Sequence, residues 1–306
     1  MHKIVCAFMV GMIAMGLMGC EKKKEKMIVL GQNGILSEKP KEEAKVRIAV
    51  GGMITPKEGV VYYRDLLRYI QDRIGEKIAY VDRESYAEIN EMLETGKLEA
   101  AFVCSGPYTV GRKKFGLELL VAPQAYGATA YYAYILVAKD SAAQSFQEMR
   151  GKRFAFTDPL SNTGRLVPVY MLAKMNETPE RFFKATIFTQ SHDKSIKAVA
   201  QGVVDGAAVD SLIWEYLNTT NPEFTSRTRI LQRSPAYALP PVVVPRNLDQ
   251  GLKARLKQAF LNAHLDPKGK QILRKMKIDK FVEIDDRAYD SVRKMQDWLE
   301  LKNAEK

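Results

Sequence analysis

Apolar residues recur along this chain in two alternating periods. "VRIAVGG", starting at Val46, is a short apolar run of strand type. Over 57–74, Leu66, Leu67, Ile70 and Ile74 recur at helical spacing, which predicts an amphipathic helix. "KIAYV" follows as a strand, then "YAEINEMLETG" as a helix that Gly96 stops. "LEAAFVC" reads as a buried strand and 107–115 as a short helix. A second set begins near residue 145: "KRFAFTD" as strand, 163–175 as helix, "ATIFTQ" as strand, 192–203 as helix, "GAAVD" as strand and 211–218 as helix. After "ALPPVVVP" the pattern predicts helices over 249–264, 267–276 and 286–301.

Alternating strands and helices imply an α/β protein with parallel or mixed sheets flanked by helices. No fixed-period repeat is present. Two such sets in 306 residues predict two lobes, each with its own core. The stretches 128–138 and 236–245 lack helical period and are the expected crossings. The expected division is a first lobe of 46–133 plus 241–306, the latter carrying the C-terminal helices, and a second lobe of 134–240. Ligands of open α/β sheets sit at the carboxyl ends of strands, so the expected site is a cleft between the lobes.

The N-terminus adds an address. "MHK" is a short positive region, and "IVCAFMVGMIAMGLMG" is apolar but too soon ended by charge to span a bilayer. It ends at Leu17, Met18, Gly19 and Cys20, which resembles a bacterial lipobox. The expectation is a signal peptide over 1–19, lipid on Cys20 and a charged tether over 20–45. Cys6 leaves with the signal, so Cys104 stands alone in an apolar run and no disulfide is expected. The formal net charge of +11 raises the question of nucleic acid, but no basic stretch is interleaved with aromatics. A positive field also speeds encounters with small anions or anionic lipid.

The candidate chemistry lies in "DPLSNTGRLVPVYMLAKM", a strand end, a turn of small polar residues and a helix start. Ser161, Asn162 or Thr163 suits a helix cap. Amides of Thr163, Gly164 and Arg165 would open the helix and, with its dipole, attract an anion. Ser161 and Thr163 hydroxyls can donate to oxyanion oxygens, and Gly164 lets backbone approach closely. An ordinary cap with no ligand has the same local sequence.

The chain resembles the substrate-binding proteins of phosphonate, phosphite and phosphate ABC transporters over about residues 46–280. The resemblance implies a periplasmic-binding-protein fold of the second type. In that family a D-P-x-S-x-S-G-x-L-x-P segment holds the oxyanion; here "DPLSNTGRLVP" has Asn162 and Thr163 where Thr and Ser are usual. The family's ligand-contacting tyrosines fall on Tyr86 in "DRESYAEI" and Tyr131 in "GATAYYAYILVAKDS". Its strand–histidine–helix segment matches "QSHDKSIKAVAQGVVDGAAVD", so His192 would donate to the anion, with a charge sensitive to it near neutral pH. Asp210 would orient His192, accept a proton from the ligand, or cap the following helix. Tyr108 either lines the cleft or packs. Members that bind an amino-phosphonate meet its ammonium with acidic residues. This chain has Leu212 and the Pro240–Pro241 pair at those places, which favours a ligand without an amine.

The sequence holds no G-x-S-x-G elbow, P-loop, H-E-x-x-H, C-x-x-C or G-x-G-x-x-G after a strand, so no catalytic residue, metal or cofactor is expected. The expected function is that of a monomeric, lipid-anchored solute-binding protein at the cell envelope. It would take a small phosphorus oxyanion and serve a permease and its ATPase. A ligand sensor for a signalling partner, and an enzyme on the same fold, are the alternatives.

Overall fold

The structure is a computed structural model that describes residues 27–29, 46–51, 56–83 and 85–304. The expected signal peptide, Cys20 and most of the expected tether lie outside the described residues. Within the tether stretch, however, Met27–Val29 forms a strand, β1.

In chain order there follow β2 (Val46–Val50), α1 (Pro56–Ile74), β3 (Ile78–Val81), α2 (Tyr86–Glu94), β4 (Ala100–Phe102), α3 (Ser105–Phe115) and β5 (Glu118–Ala125). A short β6 (Ala130–Tyr131) leads to β7 (Ala133–Ala138), β8 (Arg153–Phe156), α4 (Val167–Lys174), α5 (Pro179–Phe182), β9 (Ala185–Phe188), α6 (His192–Ala200), β10 (Gly206–Asp210), α7 (Ser211–Thr220) and β11 (Thr228–Arg233). The chain returns through β12 (Tyr237–Ala238) to β13 (Val242–Val244), α8 (Gln250–Leu261), α9 (Pro267–Lys275), β14 (Ile278–Val282) and α10 (Asp290–Ala304).

These strands form two mixed sheets. The first has the order β1-β3-β2-β4-β13-β5-β14 and the second the order β11-β7-β10-β8-β9. Each contains a parallel trio, β3-β2-β4 and β10-β8-β9, built by helical crossovers. The outgoing and returning connections pair with each other: Tyr131 of β6 lies opposite Tyr237 of β12. A two-stranded ribbon therefore joins the lobes, the geometry of a hinge.

Periodicity becomes packing as expected. Leu66, Leu67 and Ile70 of α1 are wholly buried against Ile48, Phe102, Leu256 and Phe260, forming one core on the first sheet. Each such side chain contributes about 1.5–3 kcal/mol by leaving water. Ile135, Phe154, Phe156 and Phe183 fill one face of the second sheet. A further cluster crosses between the lobes, joining Tyr86, Leu93 and Tyr108 to Tyr131, Val167, Tyr237 and Met295.

Candidate functional site

The strands of the second parallel trio all end at one place. After β8, Thr157 and Asp158 start a tight turn: Asp158 Oδ1 accepts from the Leu160 amide at 2.7 Å and its carbonyl accepts from the Ser161 amide at 3.0 Å. Ser161 Oγ accepts from the Gly164 amide at 3.0 Å, and the Leu166 amide reaches back to the Ser161 carbonyl at 2.9 Å. That i→i+5 bond makes Asn162–Leu166 a single π turn before α4, where an ordinary helix from residue 163 was expected. After β9, Gln190 takes φ +67° and its amide donates to the Thr157 carbonyl at 2.9 Å, which aims Ser191 and His192 at the start of α6. After β10, Asp210 caps α7 through Oδ1 and the Leu212 amide at 2.7 Å.

The expectation for Gly164 changes. Its amide is taken by Ser161, and a Cβ there would lie 1.7 Å from Thr157 Oγ1. The glycine is required by the packing of the turn on Thr157, not by backbone approach to a ligand.

The buried side chains here are unusual in one respect. Among the described residues, seven buried polar side-chain atoms of these strand ends and of α2 have no hydrogen-bond partner. They are Tyr86 Oη, Thr157 Oγ1, Asn162 Oδ1, Thr163 Oγ1, Ser191 Oγ, His192 Nε2 and Asp210 Oδ2. Tyr86, Ser161, Asn162, Thr163, Ser191, His192 and Asp210 are all at most 1% exposed. An unpaired buried polar group costs about 1–3 kcal/mol, so a concentration of them marks a place built to be completed by a ligand.

Two of these groups are chemically defined by their surroundings. The Asp210 backbone N–H donates to His192 Nδ1 at 3.0 Å. Nδ1 therefore carries the lone pair, and the proton sits on the unpartnered Nε2. Burial holds the imidazole pKa down at about 3, so the ring stays neutral near pH 7, contrary to the expected titration in that range. Burial pushes the Asp210 carboxyl up to about 7, and its buried Oδ2 has no hydrogen-bond partner. Asp210 thus caps α7, orients His192 and retains a free oxygen.

Tyr131 lies among these groups, but its hydroxyl already has protein partners: Ser105 Oγ at 2.7 Å, Cys104 Sγ at 3.3 Å and Asn162 Nδ2 at 3.2 Å. Its part is to hold Asn162, whose Oδ1 is left free. Cys104 is wholly buried with its thiol pKa raised, as suits an inert small side chain. Tyr108 packs edge-on against Tyr289 and donates to Asp286, so it is a packing residue.

The lobes meet over the site. Asp158 Oδ2, from the second lobe, accepts from the Tyr86 amide of the first at 3.1 Å. A Cβ on Gly106 of α3 would stand 2.2 Å from the Leu160 carbonyl oxygen. Gly106→Ala is expected to leave the first lobe as stable or slightly more so, since alanine favours a helix. It should weaken ligand affinity at least tenfold by holding the cleft open. Calorimetry checks the first effect, and a larger radius of gyration with ligand by X-ray scattering checks the second.

Ser191, Thr157 and Asp158 are members of this site that the sequence reading did not single out. The one signal for Ser191 was its place beside His192 at a strand end.

With this geometry in view, the profile of the family described as "ABC transporter, phosphonate, periplasmic substrate-binding protein" matches residues 50–289. The chain belongs to this family. The phosphonates-binding periplasmic protein of Escherichia coli (strain K12) is 26% identical over 216 residues, covering 69% of this chain. The match spans 63% of that relative's length, less than two thirds. The binding protein component of an ABC phosphonate transporter from Pseudomonas aeruginosa superposes with a TM-score of 0.78 at 24% identity, covering 82% of this chain and 85% of that one. PhnD1 from Prochlorococcus marinus (MIT 9301), solved in complex with methylphosphonate, superposes with a TM-score of 0.76 at 19% identity, covering 83% and 98%. The shared fold is that of two-lobed periplasmic binding proteins. No helix among the described residues of this family member is long and apolar enough to cross a membrane.

In this phosphonate-binding family member, Leu212 and Pro240 line one cavity of about 80 Å³ on the lobe seam. Tyr63, Phe102 and Ile213 line it too.

Proposed function

We propose that the chain is the solute-binding component of an ABC importer and that its interlobe cleft holds a small phosphorus oxyanion: a phosphonate, phosphite or phosphate. The observation that carries this reading is the cluster of unpartnered atoms around His192 Nε2–H. Tyr86, Thr163, Ser191 and His192 supply neutral donors, and Ser161 keeps a hydroxyl hydrogen to give. The starts of α2, α6 and α4 add their dipoles. Preorganised neutral donors suit an oxyanion, because no cation needs desolvation before the ligand arrives.

The same cluster would favour a ligand that shares one proton with the protein. Asp210 Oδ2 can only accept, or share a proton, so it favours an oxyanion bearing one P–OH. Sulfate has no proton to offer at neutral pH, so it would be accepted only while the Asp210 carboxyl itself carries the proton. The name of the E. coli relative and the methylphosphonate bound to the P. marinus protein support the phosphorus class. Closure over the ligand would present both lobes to a permease driven by an ATPase. Lipid on Cys20 would keep the monomeric protein at the envelope face where that permease works.

Calorimetric titration of the soluble body with phosphate, phosphite, methylphosphonate, 2-aminoethylphosphonate and sulfate tests the reading. Heat is expected with at least one phosphorus oxyanion, and weaker binding with sulfate that is lost as pH rises above about 7. Silence from all four phosphorus compounds removes the proposed ligand class.

A further inference from the structure

The helix α10 touches both lobes and the ribbon that joins them. Just before it, the Tyr289 hydroxyl donates to the Leu239 carbonyl at 2.8 Å, and Met295 Sδ, within it, lies 3.5 Å from the Tyr237 hydroxyl of β12. Further along, α10 turns two opposite faces to the two lobes. Gln296 and Glu300, four residues apart, face α3 of the first lobe. The Gln296 side-chain amide donates to the Gly106 carbonyl at 3.4 Å, and Glu300 accepts from Lys113 at 2.9 Å. Trp298 and Lys302, also four apart, face the second lobe. The Trp298 ring meets Tyr170 of α4 edge-on with centroids 5.2 Å apart, and the Lys174 ammonium of α4 stands 4.5 Å from the Trp298 ring centroid. Lys302 donates to Asn176 Oδ1, just beyond α4, at 3.3 Å.

These contacts differ in depth. Tyr289 and Val292, at the hinge end, are wholly buried. Those to the second lobe are made by half-buried or exposed side chains. Between them and the oxyanion turn runs a groove of about 460 Å³, lined by Arg165, Leu166, Gln296 and Leu299. The helix is therefore fixed to the hinge and the first lobe, and it rests on the second through a contact that can part. The helix it rests on, α4, is the one that the oxyanion turn leads into.

We propose that Trp298 is a latch residue: through it α10 straps the lobes together and raises the closed fraction of the protein before any ligand arrives. The proposal goes beyond the oxyanion reading and leans on it only for the compounds that serve as probes. None of Tyr170, Lys174, Asn176, Trp298 and Lys302 belongs to the unpartnered cluster, so the strap contributes equally whichever oxyanion is held. A ligand that binds only the closed form has its apparent affinity reduced by the fraction that is closed. An edge-on aromatic pair with an ammonium over the same ring shifts that balance about tenfold. Trp298 thus sets the strength of binding from outside the cleft and leaves the choice of ligand to the residues within it.

The test compares the native soluble body with Trp298→Ala, by calorimetry and stopped-flow release with methylphosphonate, phosphite and phosphate. Those compounds that the native protein binds are expected to weaken by one common factor of about tenfold, with faster release. A second measurement needs no ligand. Asn176→Cys with Lys302→Cys places a thiol on each side of the latch, and Cys104 is wholly buried and does not compete. A short bismaleimide should bridge the pair in ligand-free protein, and adding Trp298→Ala should slow that bridging severalfold. Once bridged, the protein should release its ligand about tenfold more slowly than before bridging. Unchanged affinity in Trp298→Ala, a loss confined to some of the ligands, or a bridging rate indifferent to Trp298 refutes the latch and leaves the oxyanion reading standing. If none of the three compounds binds, the oxyanion reading falls, and the bridging rate still decides the latch. If the alanine variant does not fold, release from the bridged protein decides it, and release at the unbridged rate refutes the latch.

Discussion

His192→Ala is expected to weaken phosphonate binding by about one to two orders of magnitude, read by calorimetry. In the proposed site the imidazole would give a single N–H to the oxyanion, and hydrogen bonds to charged groups contribute about 1.5–3 kcal/mol. The variant also removes the acceptor for the Asp210 amide, so the carboxylate loses part of its positioning. His192→Gln separates these two effects. A glutamine that presents its amide nitrogen to the ligand should recover much of the affinity, whereas alanine cannot. Because the imidazole is neutral, its loss should weaken binding by a similar factor from pH 6 to pH 8. A loss confined to the acidic end would mean that a charged ring makes the contact, against the tautomer that the Asp210 amide imposes.

Asp210→Asn should change the pH response of binding rather than simply weaken it. In the proposed complex of the native protein one proton would lie between Oδ2 and the ligand. Burial places the carboxyl pKa at about 7, so near neutrality the proton is present on one partner or the other. At higher pH, where carboxylate and phosphonate are both bare, affinity should fall about tenfold per pH unit. Asparagine can turn an N–H toward the dianion while its oxygen keeps the Leu212 cap, so the variant should bind with a flat profile to about pH 9. It should also bind sulfate at pH 8 to 9, where the native protein should not. A native profile already flat to pH 9, or a variant that refuses sulfate at pH 8 to 9, would remove the acceptor role.

The stability of the ligand-free protein should carry the same signature. Asp210 has a raised pKa, from 3.8 to about 7, so the folded state holds a proton that the unfolded chain releases. Its contribution is full below about pH 4 and is lost as pH rises to about 7, by on the order of 4 kcal/mol. His192 has a lowered pKa, from 6.5 to about 3, so its contribution is present above about pH 6.5 and is lost as pH falls toward 3. Between roughly pH 4 and 6.5 the two slopes oppose and nearly cancel. In Asp210→Asn only the histidine slope remains. The variant should therefore melt above the native protein at pH 8, with little advantage at pH 4.

Much of this site is written locally. Ser161, Thr163, His192 and Asp210 each follow a short apolar strand and open a helix, so period and punctuation alone bring them to strand ends. What the sequence could not convey is tertiary. The neutrality of His192 follows from complete burial and from a backbone donor eighteen positions away. Nor could it convey that the Tyr131 hydroxyl, expected at the ligand, bonds to Cys104 and Ser105 from another element. The π turn depends on Thr157 lying against Gly164, and helical period is blind to that. Met27–Val29 is too short and too surrounded by charge to register as a strand, yet it pairs with β3. Strand order is equally silent: no periodicity announces that β13 enters the first sheet between β4 and β5.

That placement of β13 has a consequence for biogenesis. The second lobe is one unbroken stretch and can acquire its core as soon as it has emerged. The first lobe must wait for a strand made from residues 242–244, with β4 and β5 left as two unjoined edges until it arrives. A chain emerging vectorially thus completes its middle before its beginning, and the unjoined edges are what chaperones would need to shield. A nascent chain stopped at residue 240 should give a protease-resistant core from the second lobe alone.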